Sequence, residues 1–280
     1  MILILTGEIT LRIWPFITRR VYNLHGKQVI LLSRMHRKGL LFRNQVLKPG
    51  DVPFWKTQDY NRQIGASFAF GAAIFALASI LMFISIQRPG LSNFTNLTFF
   101  LGSIPFTIAA SLQHFQSANS FILKDASQSA ATSARFHLIG WQPRSAGWWS
   151  TFSQWLGTIA FNISTFNAIS APNQKILDTL EIWAPNFEGS VLFLVSGYLA
   201  YIEVSNKYWS WRPKSLSWQI VFINLLGCIA FMISAVAPAA PIQKNILPLL
   251  TYSNSYTLTG AICFFISALL LIKESRNAAV

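Results

Sequence analysis

Residues 189 to 206 read GSVLFLVSGYLAYIEVSN, eighteen positions with a single charged side chain, Glu203, near the end. A bilayer crossing needs about 20 mostly apolar residues in helical conformation, so this stretch reads as a membrane-spanning helix. Its pattern recurs twice. Gly189, Phe193, Ser196, Gly197, Leu199, Glu203 and Asn206 align with Gly102, Phe106, Ala109, Ala110, Leu112, Gln116 and Asn119, and with Gly260, Phe264, Ser267, Ala268, Leu270, Glu274 and Asn277.

Three further segments carry the first half of the pattern. Gly71 with Phe75, Gly157 with Phe161 and Gly227 with Phe231 are each followed by two small residues. In all, six apolar segments are expected to cross, over about 64–86, 97–115, 152–170, 187–204, 218–236 and 256–272. Several are near the lower length limit, so little tilt is expected. The glycines pair at spacings of 31, 32 and 33 residues (71 to 102, 157 to 189, 227 to 260), which points to a repeated helical hairpin. Since each hairpin starts and ends on one side, the repeats are parallel and share an axis near the membrane normal. The fold expected is an all-α membrane protein of three hairpins, about 64–116, 152–205 and 218–273, in a domain spanning 63–280. A basic cytoplasmic or interfacial segment, 1–62, precedes it.

Composition agrees with that class. Of 280 residues 52% are hydrophobic and 11% charged, and mean hydropathy is +0.42, too apolar for an ordinary soluble domain. The formal net charge of +13 would suggest nucleic acid on a soluble module, but most Lys and Arg lie beside apolar segments, so no nucleic-acid partner is expected. Eleven of them fall in residues 1–62, with three, three and two in the connections and tail on the same side. Only Arg88, Lys175 and Lys244 lie opposite. Both termini are therefore expected in the cytoplasm, with the chain in the plasma or inner membrane. Cys228 and Cys263 both fall inside apolar segments and are expected to act as small core residues.

No cleavage of a secretory signal is expected in the first sixty residues. Ile9, Ile13 and Phe16 with Arg12, Arg19 and Arg20 suggest a short interfacial helix, limited by Pro15. The run Arg34, His36, Arg37, Lys38 is expected to be a solvated tail near anionic headgroups.

The glycines Gly71, Gly102, Gly157, Gly189, Gly227 and Gly260 are read as packing positions that let helix backbones approach, with Phe filling the groove beside them. The polar ends leave two readings open. Gln116, Glu203 and Glu274, with Asn119, Asn206 and Asn277, would form a cytoplasmic ring favouring cations or holding a partner. Alternatively, each Asn ends its helix in the left-handed conformation while the acid sits in interfacial water. His114 is expected to be a hydrogen-bonded boundary residue, and Asn162 and Asn224 to bond across helices.

A second repeat precedes the third and fifth segments. Trp141-Gln-Pro-Arg144-Ser-Ala-Gly-Trp148 matches Trp211-Arg-Pro-Lys214-Ser-Leu-Ser-Trp218, 70 residues on. Trp at headgroup level and a basic residue on phosphate make this an interfacial anchor.

LGSIPFTIAASLQHFQSAN, EGSVLFLVSGYLAYIEVSN and the run His36 to Leu40 resemble bacterial membrane proteins with YrhK-type helical hairpins, over residues 34 to 277. The resemblance implies this architecture and no catalytic residues. No nucleophile with a base, paired acids, metal ligands or phosphate loop is visible, so neither an enzyme nor a cofactor is expected. The favoured expectation is a non-catalytic scaffold or interaction protein with membrane lipids, and a protein, as partners. The alternative is a small-solute or ion transporter or channel whose mouth is the polar ring.

Overall fold

The computed structural model describes residues 6–13, 15–24, 27–40, 53–120, 136–169, 180–239 and 246–277. Three strands come first: β1 (Thr6–Ile13), β2 (Phe16–Leu24) and β3 (Lys27–Leu32), an antiparallel sheet in the order β1-β2-β3. Ile13 pairs with Phe16, and Leu24 with Lys27. The expected interfacial helix over Ile9 to Arg20 is thus corrected, and the chain is not all-α. Ile9, Leu11 and Ile13 alternate with Thr10 and Arg12, a period of two, and β-branched residues and Tyr22 favour a pleated strand.

Seven helices follow. The five-residue α1 (Ser33–Arg37) leads directly from β3. Six long ones then run α2 (Gln58–Gln87), α3 (Ser92–Ala118), α4 (Ala146–Ala168), α5 (Leu180–Ser205), α6 (Leu216–Val236) and α7 (Ile246–Asn277). Four of these helices, of 26 to 32 residues, extend well past the apolar cores read from sequence, because polar turns add on at their ends. Thr57 starts α2 by accepting from the Tyr60 N–H, and Ser145 starts α4 by accepting from Trp148 N–H. The low tilt expected from short segments therefore loses its basis. Among the described residues five helices are long and apolar enough to cross a membrane, over 58–87, 89–118, 180–205, 216–236 and 247–277. The remaining one, α4, carries Ser150, Thr151, Ser153, Gln154, Thr158, Asn162, Ser164 and Thr165, which lower its apolarity.

Each long helix packs on the next, and α7 closes back on α2, so the six form a ring. Every seam of the ring has a polar tie. Tyr60 Oη donates to Leu112 O (2.9 Å), Asn162 Nδ2 to Thr107 Oγ1 (2.8 Å) and Ser150 Oγ to Ser196 O (2.9 Å). Trp183 Nε1 donates to Ala235 O (3.0 Å), Ser267 Oγ to Ile220 O (3.0 Å) and Asn254 Nδ2 to Ser79 O (2.8 Å). In lipid such bonds contribute about 0.6 kcal/mol each on average, which is modest. Asn162 bonds across helices as expected, whereas Asn224 reaches only Cys228 Sγ of its own helix, at 3.8 Å. Cys228 is buried, Cys263 is partly so, and both are free thiols.

Inside each hairpin the Gly and Phe positions interlock. A Cβ on Gly71 would sit 2.9 Å from the Phe106 ring, and one on Gly102 would sit 2.8 Å from the Phe75 ring. Gly157 faces Phe193 and Gly189 faces Phe161; Gly227 faces Phe264 and Gly260 faces Phe231 in the same way. Glycine is needed here for space: each absent side chain makes room for the partner helix's ring. The six rings then meet inside the helix ring. Phe75, Phe161 and Phe231 form one layer, Phe106, Phe193 and Phe264 the next, with neighbouring centroids 5.1 to 6.1 Å apart. Each ring is buried, and the space they enclose is a small apolar cavity of about 10 Å³.

This packing sets a signed expectation. Alanine in a helix interior normally gains about 0.5–1 kcal/mol over glycine. At Gly260 the new methyl would run into the Phe231 ring, which Phe75, Phe161 and Phe264 hold in place. Gly260→Ala should therefore destabilise the protein by about 1–3 kcal/mol, read as a lower melting temperature in detergent. Gly90→Ala, in open space, should leave it unchanged.

Candidate functional site

The site lies at the end of the ring where α3, α5 and α7 finish. Gln116, Glu203 and Glu274 all arrive there, ten residues beyond Phe106, Phe193 and Phe264, hence about 15 Å further along their helices. All three are buried. They do not face water, because α1 occupies the space among them. Arg37 Nη2 binds Glu203 Oε2 at 2.8 Å, and Ser33 Oγ donates to Glu203 Oε1 at 2.8 Å. Glu274 takes Lys38 Nζ on Oε2 at 2.8 Å, and both Arg34 Nη1 and Ser217 Oγ on Oε1. Gln116 Nε2 donates to Trp55 O and to Asn61 Oδ1, and Asn61 Nδ2 donates to Lys38 O at 2.9 Å.

The solvated basic tail is therefore corrected. Arg34, Arg37 and Lys38 are 7%, 5% and 4% exposed, and their partners are carboxylates of the same chain. An isolated buried cation is prohibitively costly, so Arg34 and Arg37 are carried inside only because Glu203 and Glu274 meet them, and Lys38 shares Glu274 with Arg34. A turn at Gly39 (φ 72°) then lets the chain pass against α2's approach, with its missing Cβ 2.4 Å from Lys56 O. The sheet is tied down separately by Ile17 N–H to Arg144 O, 2.9 Å.

Equivalent positions on the odd helices complete the arrangement. Asn61, Gly147 and Ser217 are 86 and 70 residues apart, the same offsets that relate Gly71, Gly157 and Gly227. Asn61 and Ser217 hydrogen-bond Gln116 and Glu274, while Gly147 leaves room for Glu203, whose Oε1 would lie 2.3 Å from a Cβ there. Glu203 thus rests on the first turn of α4, where backbone N–H groups favour negative charge.

Of the expected ring, the three asparagines stand apart. Asn119 Nδ2 donates to His137 O and its Oδ1 accepts from His137 N–H, pinning the loop before α4. Asn206 adopts φ 52°, the left-handed helix ending expected of it, and Asn277 is exposed. His114 is buried against Trp155 and meets Thr151 Oγ1 at 3.2 Å.

The tryptophan motifs are also only partly surface features. Trp141 and Trp211 are exposed, with Arg144 and Lys214 beside them. Trp148 and Trp218 are buried, which corrects their reading as headgroup anchors. Trp148 Nε1 donates to Ile139 O and its ring stacks on Phe152 at 4.9 Å; Trp218 Nε1 donates to Ser210 O and stacks on Phe222 at 4.5 Å. Each indole NH has its partner, so the ring can sit inside as a wedge under the incoming loop.

Between α1 and the Phe106, Phe193 and Phe264 layer lies a cavity of about 60 Å³. Among the described residues its charged lining is Arg34, Arg37 and Glu203, joined by the amides of Gln113, Gln154 and Asn224. The chain matches no protein-family profile, no curated protein and no solved structure.

Burial, and the neighbouring Arg34 charge, hold the Lys38 ammonium down to about 7 from its usual 10.5, against the pull of Glu274. Burial alone brings Lys56 to about 8. Between pH 7 and 10.5 the unfolded chain then binds more protons than the folded one, so stability rises with pH across that window. The melting temperature should increase from pH 7 to pH 9, and Lys38→Met should flatten that rise; an identical slope in the variant would contradict the assignment.

Proposed function

We propose that the chain is a multi-pass integral membrane protein that acts without catalysis, as a membrane scaffold or interaction protein. Five helices apolar enough to cross support membrane insertion, and α4, held between α3 and α5 in the same ring, makes the sixth crossing in this reading. The three hairpins are repeats, related to those of YrhK-type proteins. In this reading both termini and the sheet lie on the cytoplasmic side of the plasma or inner membrane, which the excess of Lys and Arg at the α1 end supports.

One observation carries the scaffold reading: the ring is filled twice, by two phenylalanine layers at mid-height and by the ion-paired α1 at its end. A static, closed bundle needs nothing more. Its partner-facing features lie at the same end. Trp141 with Arg144 and Trp211 with Lys214 are exposed, suited to anionic headgroups or to a cytoplasmic protein. The transport reading keeps one specific support, the polar cavity lined by Glu203 and Asn224 above the phenylalanine layer. The phenylalanines and α1 are then two closed gates.

Purified protein in liposomes separates the two. A scaffold carries no ion current and no solute flux, and neither does the Phe231→Ala variant once refolded. Flux that Glu203→Ala alters without loss of folding overturns the scaffold reading. Reporter fusions at the two termini should both report the cytoplasm.

A further inference from the structure

The guanidinium of Arg37 is incompletely used. Nη2 holds Glu203, but Nε and Nη1 are buried with no hydrogen-bond partner among the described residues. Its side chain is 6% exposed, so bulk water does not serve them. Unspent N–H groups on these two nitrogens of a buried cation are costly, more so than on a neutral buried group. Arg37 also lines the cavity beneath α1.

The rest of the lining has the same character. Taken together, Arg34, Arg37 and Lys38 against Glu203 and Glu274 leave one positive charge in excess while Lys38 is protonated. Ser150 and Ser267 line it too, but their hydroxyls already donate to Ser196 O and Ile220 O. The amides are free. Gln113 and Gln154 make no hydrogen bond to a described residue, and Asn224 has only its long contact to Cys228 Sγ. Amide N–H groups and an excess guanidinium are donors seeking an acceptor with negative charge. The floor is made of phenylalanine rings.

We propose that this cavity binds one small monovalent anion, of chloride to nitrate size, held by Arg37 and the Gln154 and Asn224 amides. Size limits the choice. A cavity of about 60 Å³ is well below the roughly 150 Å³ that accommodates benzene, yet exceeds the 10–15 Å³ a single water requires. One unit of excess charge calls for a monovalent ion. The site stands whether the ring is a scaffold or a conduit, and it joins α1 to α4, α5 and α6 through a ligand.

The test uses the full-length protein in detergent, in sodium gluconate, an anion too large for the cavity. Chloride, bromide or nitrate is added at constant ionic strength. The melting temperature should rise with saturation, and titration calorimetry should give one site per chain. Gln154→Leu and Asn224→Leu leave the Arg37–Glu203 pair intact; each should weaken the anion at least tenfold while melting normally in gluconate. Bromide-soaked crystals should show an anomalous peak beside Arg37. The proposal is overturned if the three anions give no shift beyond gluconate, or if the shift survives unchanged in both variants. It is equally overturned if the cavity shows only water at saturating bromide.

Discussion

Two buried carboxylates, Glu203 and Glu274, hold three buried cations, and the placement of the N-terminal segment depends on that balance. The helix that carries the cations has five residues, too short to be stable on its own. It exists because β3 delivers it and because the ring end offers counter-charges at positions its Arg34, Arg37 and Lys38 can reach. In return α1 gives α5 and α7 a shared partner at their ends. Removing one member leaves an uncompensated buried charge, which costs about 3–5 kcal/mol, whereas replacing a whole pair with apolar residues is often neutral. The lock is therefore a device of specificity more than of stability, and it favours one docking of the segment over any other.

Beneath the lock, the bundle is held by shape. Helices in lipid gain no hydrophobic drive from meeting one another, so close packing and a few hydrogen bonds must suffice. The reciprocal Gly and Phe contacts answer this in each hairpin: backbone approaches backbone, with Gly157 and Gly189 each near the other's carbonyl oxygen, and the displaced volume is taken up by rings directed inward. Six rings converging inside six helices leave only a small apolar cavity of about 10 Å³ between them. The polar cavity is confined to the α1 side of it.

Much of this could be read from residue spacing. The hairpin glycines, their phenylalanines and the polar helix ends were visible because they recur at constant intervals and obey the helical period. The burial of Trp148 and Trp218 was less so, since a tryptophan beside Pro and Arg suits a headgroup layer equally well; only the loop folding back to offer Ile139 O and Ser210 O decides it. The sheet was missed because alternation over Ile9, Leu11 and Ile13 is short and interleaved with basic residues. The lock was missed for a different reason. Arg37 and Glu203 lie 166 residues apart, and Lys38 and Glu274 lie 236 apart, so no local pattern links them. A signal did exist: Asn61, Gly147 and Ser217 share the hairpin offsets, and a small or polar residue there prepares a place for Gln116, Glu203 and Glu274.

The most direct measurement is a double-mutant cycle on Arg37 and Glu203, read by thermal unfolding of the purified protein. If the pair holds α1 in the ring, Arg37→Met and Glu203→Leu should each be strongly destabilising, and the double variant should recover toward the wild type. The coupling energy should be about 1.5 kcal/mol or more. Additive effects, or single variants that melt like the wild type, would contradict the account.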